Sequence, residues 1–212
     1  MTASRFSPRI RITSIAALAL ALTFVATAQQ VRAQTAADAQ ALVSKLADRA
    51  LEILADKSLD KAGREVQFAK LFTDNFHTRS IGVFVLGRYW RRATPAQRKA
   101  YLAVFRRFIV KTYTVRLSQY AGEKFRVRRA SGPDNGAYVV ESEILQKNRP
   151  SIPLRWSIRR ASTGLKIVDV VIENLSMAQT QRADFAAILR QTGSVDGLIK
   201  ALEAKMAKLD RG

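Results

Sequence analysis

Apolar residues recur at helical spacing through the first part of the chain. Leu42, Leu46, Ala50, Ile53 and Leu54 fall three or four apart, which predicts an amphipathic helix over 36–55. Asp60 can cap a second helix over 61–72, whose Val66, Phe68, Ala69 and Phe72 form a less regular stripe. A third apolar segment, 76–91, reads as helical and contains Gly82 and Gly87, which permit close packing or a break. Thr94-Pro95-Ala96-Gln97 has the form of a capping box, with Thr as N-cap, Pro in the first turn and Gln reaching back. The helix it starts is expected to run to about Tyr120. Tyr101, Val104, Phe105, Phe108, Thr112 and Val115 gather on one side of it, and Lys99, Arg106, Arg107 and Lys111 on the other.

Beyond Gly122 the period changes from helical to two. Phe125 and Val127 alternate with Lys124, Arg126 and Arg128, and Pro133-Asp134-Asn135-Gly136 makes a turn. Tyr138, Val140, Ser142 and Ile144 then alternate with Ala137, Val139, Glu141 and Glu143, and Asn148-Arg149-Pro150 ends the run. Leu154, Trp156 and Ile158 alternate with Arg155, Ser157 and Arg159, Thr163-Gly164 turns again, and Leu165–Ile172 is apolar on both faces apart from Lys166 and Asp169. Two more helices, 178–191 and 195–209, are separated by Gly193. The expected class is α+β: a twisted antiparallel sheet of about four strands with helices packed on it.

The beginning of the chain follows a different rule. Arg5, Arg9 and Arg11 precede an uncharged run from Ile12 to Ala28, and Val31-Arg32-Ala33 resembles a cleavage site. This is the layout of a secretory leader over 1–33, leaving 34–212 as a single domain exported to the periplasm. No Cys follows the apolar run, which excludes a lipoprotein. With no Cys anywhere, disulfides and thiol chemistry are excluded as well. His77 is the one histidine, too few for a His-cluster metal site, and is expected at a helix end or the surface. There is no Gly-x-Ser-x-Gly elbow and no Gly-rich phosphate loop. No catalytic residue, metal or cofactor is therefore expected, and the protein reads as a non-enzyme.

Charge adds a surface to this picture. Removing the four arginines of the leader leaves 32 basic against 17 acidic side chains, a net charge of +15. The 48 residues between Asp74 and Glu123 hold ten cations and no acid. Within them the stretch GRYWRRATPAQRK interleaves cations with rings, as nucleic-acid grooves do. On the long helix, however, rings and cations occupy opposite sides, and an exported protein meets lipid headgroups and membrane complexes instead of nucleic acid. We therefore expect no nucleic-acid partner, and transient contact with anionic membrane surfaces or partner complexes. The candidate docking surface is Arg88, Arg92, Arg98, Lys99, Arg106 and Arg107. Arg91 beside Trp90 is expected to be a partly buried structural residue.

Leu86-Gly87, Trp90-Arg91 and Ala93-Thr94-Pro95-Ala96-Gln97, followed by Phe105, Tyr113 and Tyr120-Ala121-Gly122, resemble the MlaC, or toluene-tolerance, family of periplasmic phospholipid-binding proteins. Asp169-Val170, Glu173, Ser176, Arg182 and Phe185 are similar to a later motif of that family. The chain departs from the pattern at Leu165, Gln181 and Leu175. The resemblance implies a carrier that shuttles phospholipid between an outer-membrane lipoprotein–porin complex and an inner-membrane ABC-type transporter, maintaining lipid asymmetry. It also implies acyl tails held in an apolar cavity between sheet and helices. Related carriers take other lipids, such as hopanoids, and an exported non-enzymatic small-ligand or scaffold protein is the other alternative. Two sixteen-carbon tails left in water would cost on the order of 25 kcal/mol, so a carrier must enclose them. The candidate cavity residues are Phe105, Phe108, Val140, Trp156, Ile158, Val168 and Val170. In sequence, a cavity and a filled core look the same.

Overall fold

The computed structural model describes residues 36–117 and 123–211; the expected leader lies outside them. Helix α1 spans 36–55, followed by α2 (Lys61–Asn75), α3 (Thr78–Leu86), a single turn α4 (Tyr89–Arg92) and the long α5 (Pro95–Leu117). Then come β1 (Lys124–Asp134), β2 (Ala137–Leu145), β3 (Ile152–Ala161), β4 (Gly164–Ile172) and a two-residue β5 (Leu175–Ser176). Helices α6 (Met177–Thr192) and α7 (Val195–Arg211) follow. The strands form one antiparallel sheet in chain order, β1 to β5. The expected class is correct, with β5 as a short fifth strand. Glu173 and Asn174, both at positive φ, make the two-residue turn that brings it back onto β4.

Local chemistry sets the helix starts. The Asp60 side chain accepts from the Gly63 amide at 2.7 Å. Thr94 Oγ1 accepts from the Gln97 amide at 3.2 Å while Gln97 Oε1 accepts from the Thr94 amide at 3.0 Å, so the capping box is complete. The segment 76–91 is not one helix. Phe76 leaves α2 to bridge Ile167, and the His77 amide donates to the Ile167 carbonyl at 2.9 Å. His77 then caps α3 by accepting at Nδ1 from the Ser80 amide at 3.3 Å. Gly87, at φ 58°, ends α3. Gly82 does the close packing: an added Cβ would sit 2.8 Å from Leu102 Cδ2, and Tyr101 Oη donates to the Gly82 carbonyl at 2.9 Å. Burial pushes the Tyr101 phenol pKa well up, so it stays a neutral donor. The expected end of α5 near Tyr120 lies outside the described residues.

The core has three parts. Helices α3, α5, α6 and α7 enclose Tyr101, Phe105, Phe108, Phe185, Leu189, Leu198 and Leu202. A second cluster lies between the sheet and α1, joining Ala39, Val43 and Leu46 to Tyr138, Val140, Ile158 and Ile167. A small third cluster, Ile53, Phe68 and Val110, fixes α1 and α2 to α5. Leu71 and Phe72 of α2 connect it to the other two.

Candidate functional site

Strand register determines which side chains share the inner face of the sheet. Ala130, Val140, Trp156 and Val170 form one row across β1–β4, and Tyr138, Ile158 and Ile167 form the next. Val140, Ile158 and Ile167 are fully buried, under α1 and the Leu71–Phe76 end of α2. Trp156 is half-buried, stands edge-on to Phe125 at 6.3 Å, and donates from Nε1 to Ser142 Oγ at 2.8 Å. The face is therefore apolar, with one polar pair whose hydrogen bond is internally satisfied.

The seven candidate cavity residues do not come together. Val140, Trp156, Ile158 and Val170 share the inner face of the sheet. Phe105 and Phe108 belong to the helical cluster, where both rings pack on Phe185 at 6.2 and 5.9 Å. Val168 has no partner in the register: β4 bulges between Asp169, opposite Ser157, and Ile167, opposite Ile158. The extra residue shifts the alternation by one, so Ile167 takes the place that period two assigns to Val168. Ile167 and the α1 residues Ala39, Val43 and Leu46 were not identifiable from sequence as part of this face. Of these only Leu46 stands out by helical spacing in the sequence, and that spacing does not say what the helix covers.

Five of the six candidate docking residues, Arg88, Arg92, Lys99, Arg106 and Arg107, are exposed. Arg98 is half-buried and does structural work. Its Nε donates to the Trp90 carbonyl at 2.9 Å, its Nη2 donates to the Arg91 carbonyl at 3.3 Å, and its guanidinium lies 5.2 Å from the Trp90 ring. The anchoring role expected of Arg91 thus belongs to Arg98, while Arg91 itself is exposed. Lys111, expected on the outward side of α5, is instead mostly buried and paired with Asp210 of α7 and with Glu65 of α2.

The later motif is a strand-to-helix joint. Asp169 accepts from Ser176 Oγ at 2.6 Å and from the Ala178 amide at 3.0 Å, and Ser176 Oγ caps α6 by accepting from the Gln179 amide at 3.1 Å. These bonds commit Ser176 to holding α6 on β4. Arg182 stacks over Phe84 at 4.9 Å and closes on Gly87, where any Cβ would meet its guanidinium at about 3.2 Å. Among the described residues no cluster of His, Asp or Glu could hold a metal ion, and no helix is long and apolar enough to cross a membrane.

The fold has a counterpart among solved structures. A phospholipid-binding protein from Ralstonia solanacearum, solved in complex with a phospholipid, superposes with a TM-score of 0.69 at 24% identity, covering 81% of this chain and 98% of that one. The toluene tolerance protein Ttg2D of Pseudomonas putida is 22% identical over 122 residues, and the match spans 57% of each chain, little more than half the length of that relative. The pattern of the MlaC protein family matches residues 44–204, which run from α1 through all five strands into α7. The chain belongs to the MlaC protein family.

Proposed function

We propose that this chain is a periplasmic phospholipid carrier, exported by the leader at 1–33. It holds acyl tails against the inner face of its sheet and shuttles lipid between an outer-membrane lipoprotein–porin complex and an inner-membrane ABC-type transporter. The observation that carries this reading is the Val140–Ile158–Ile167 face, fully buried beneath α1 and α2 and bordered by half-buried Trp156, Phe125 and Phe76. Membership of the family supports it, as does the fold shared with a protein solved with phospholipid bound.

The energetics suit a shuttle. Tails entering this site exchange one apolar environment for another, so the free-energy difference from a bilayer is small although either state lies far below tails in water. Helix α1 covers the sheet with Ala39, Val43 and Leu46, small and medium side chains one helical turn apart. Tails would occupy the layer where these residues now meet the strands, with the headgroup left in water.

The test is native mass spectrometry of the chain purified from a Gram-negative periplasm. A phospholipid mass should accompany the protein and should be displaced when Val140→Trp fills the layer. A folded, lipid-free chain that also takes up no phospholipid from vesicles would refute the carrier reading.

A further inference from the structure

The carrier reading leaves unexplained a groove formed by α3, α4 and α5. The groove has a volume of about 560 Å³ and is lined chiefly by Arg79, Trp90, Arg98, Lys99, Leu102 and Arg106. Two guanidiniums approach the Trp90 ring, Arg79 at 5.7 Å and Arg98 at 5.2 Å from its centroid. Arg98 is fixed by its two backbone carbonyls, so the ring and its flanking charge are preorganised. Arg79, Lys99 and Arg106 are exposed, and among the described residues none has a carboxylate within ion-pair distance. The carboxylate nearest in the hydrogen-bond network, Asp196, accepts from Gln97 Nε2 at 2.7 Å and does not line the groove.

We infer that this groove receives an acidic segment of a partner protein, with an apolar side chain seated on Trp90 and Leu102 and carboxylates reaching Arg79, Lys99 and Arg106. The inference rests on the carrier reading, because a shuttle needs a surface by which a membrane complex holds it. Charge complementarity indicates the sign of the partner: three cations without a carboxylate partner among the described residues line one concavity, within a 48-residue stretch that has no acid of its own. Shape separates a protein segment from a bilayer. A membrane surface pairs with exposed cations outside the groove such as Arg91, Arg92 and Arg107, whereas a concavity lined by a ring and a leucine fits a narrow chain that carries both apolar and anionic groups.

The test uses the full chain and a short synthetic peptide in which Glu residues flank a single Leu, with binding followed by calorimetry at low ionic strength. Reversing the groove cations together, Arg79→Glu, Lys99→Glu and Arg106→Glu, should weaken peptide binding at least about tenfold, the sum of three modest ion pairs. The same charge change made elsewhere on exposed residues, Arg159→Glu, Arg160→Glu and Lys205→Glu, should weaken it far less. Replacing the peptide's Leu by Ser should also weaken binding to the parent chain. Equal losses from the two triple variants would overturn the inference, because the net field alone would then account for binding. It would also be overturned if the groove triple impaired adhesion to phosphatidylglycerol vesicles but left the peptide unaffected. Circular dichroism confirms folding of each variant. Co-purified phospholipid, measured in parallel, should be unchanged in the groove triple; absence of lipid from every variant and from the parent would count against the carrier reading and not against the groove.

Discussion

Around Phe185 the helices close a knot of rings: Tyr101, Phe105 and Phe108 all lie within 6.3 Å of it, centroid to centroid, and Tyr101 and Phe105 are almost completely buried. Around Val140 the inner face of the sheet is mostly aliphatic, with Tyr138 buried in one row and Trp156, Phe125 and the bridging Phe76 half-buried. The helical cluster is interlocked from four helices, and Gly82 lets α3 approach α5 more closely than any larger residue would permit. The sheet cluster is a layer between the strands and α1, and a layer can part where a knot cannot. The contrast teaches that the two apolar regions divide the labour of the fold. In the proposed carrier, the interlocked helices around Phe185 are the rigid part and the layer over Val140 is the part that acyl tails enter.

Removing a ring from the knot should give the largest effect. Phe185→Ala deletes the side chain on which three other rings pack, and a destabilisation of about 3–5 kcal/mol is expected from urea denaturation. The lipid carried per folded molecule should not change. Val140→Trp reverses the pattern. Overpacking should cost about 1–3 kcal/mol in the same assay, while co-purified phospholipid falls to a small fraction of the parent value. Loss of lipid from Phe185→Ala and its retention in Val140→Trp would exchange the two roles.

Smaller changes sharpen the comparison. Tyr101→Phe keeps the ring but removes the donor to the Gly82 carbonyl, so a loss of about 1 kcal/mol is expected, again with lipid unchanged. On the outer face of the sheet, Glu143 accepts from Arg126 at 2.7 Å and from Ser151 at 2.9 Å. Those bonds, with Arg128 close by, hold its carboxyl below the usual glutamate range. A depressed folded-state pKa gives stability that is present above about pH 4.3 and is lost as pH falls through the folded value. Glu143→Gln should therefore melt below the parent at neutral pH and converge with it as the medium is acidified. Parallel melting curves at every pH would contradict the role given to Arg126.

What could be read in the sequence was what short-range chemistry decides. The Thr94–Gln97 capping box, the Asp60 cap and the alternation in β2 and β3 depend on residues a few positions apart. What could not be read depends on distant partners. The bulge that exchanges Val168 for Ile167 appears only when β4 is paired with β3. Phe105 and Phe108 were recognisable as the apolar side of α5, but periodicity cannot say whether that side meets a sheet or other helices. The break at Phe76–His77 is set by the bridge to Ile167, about ninety positions away, and the pairing of Lys111 with Asp210 spans a comparable distance. The MlaC motif, in contrast, marked joints: Gly87 under Arg182, Asp169 with Ser176, and Phe185 at the centre of the helices.

The two tryptophans lie on the two sides of this division, Trp156 on the sheet face and Trp90 against the helical cluster. The most direct test of the account is fluorescence quenching by phospholipid brominated on its acyl chains, measured in Trp90→Phe, where Trp156 reports, and in Trp156→Phe, where Trp90 reports. The account predicts strong quenching of Trp156 and little or none of Trp90. Quenching of Trp90 with Trp156 left bright would place the tails in the wrong part of the molecule and contradict it.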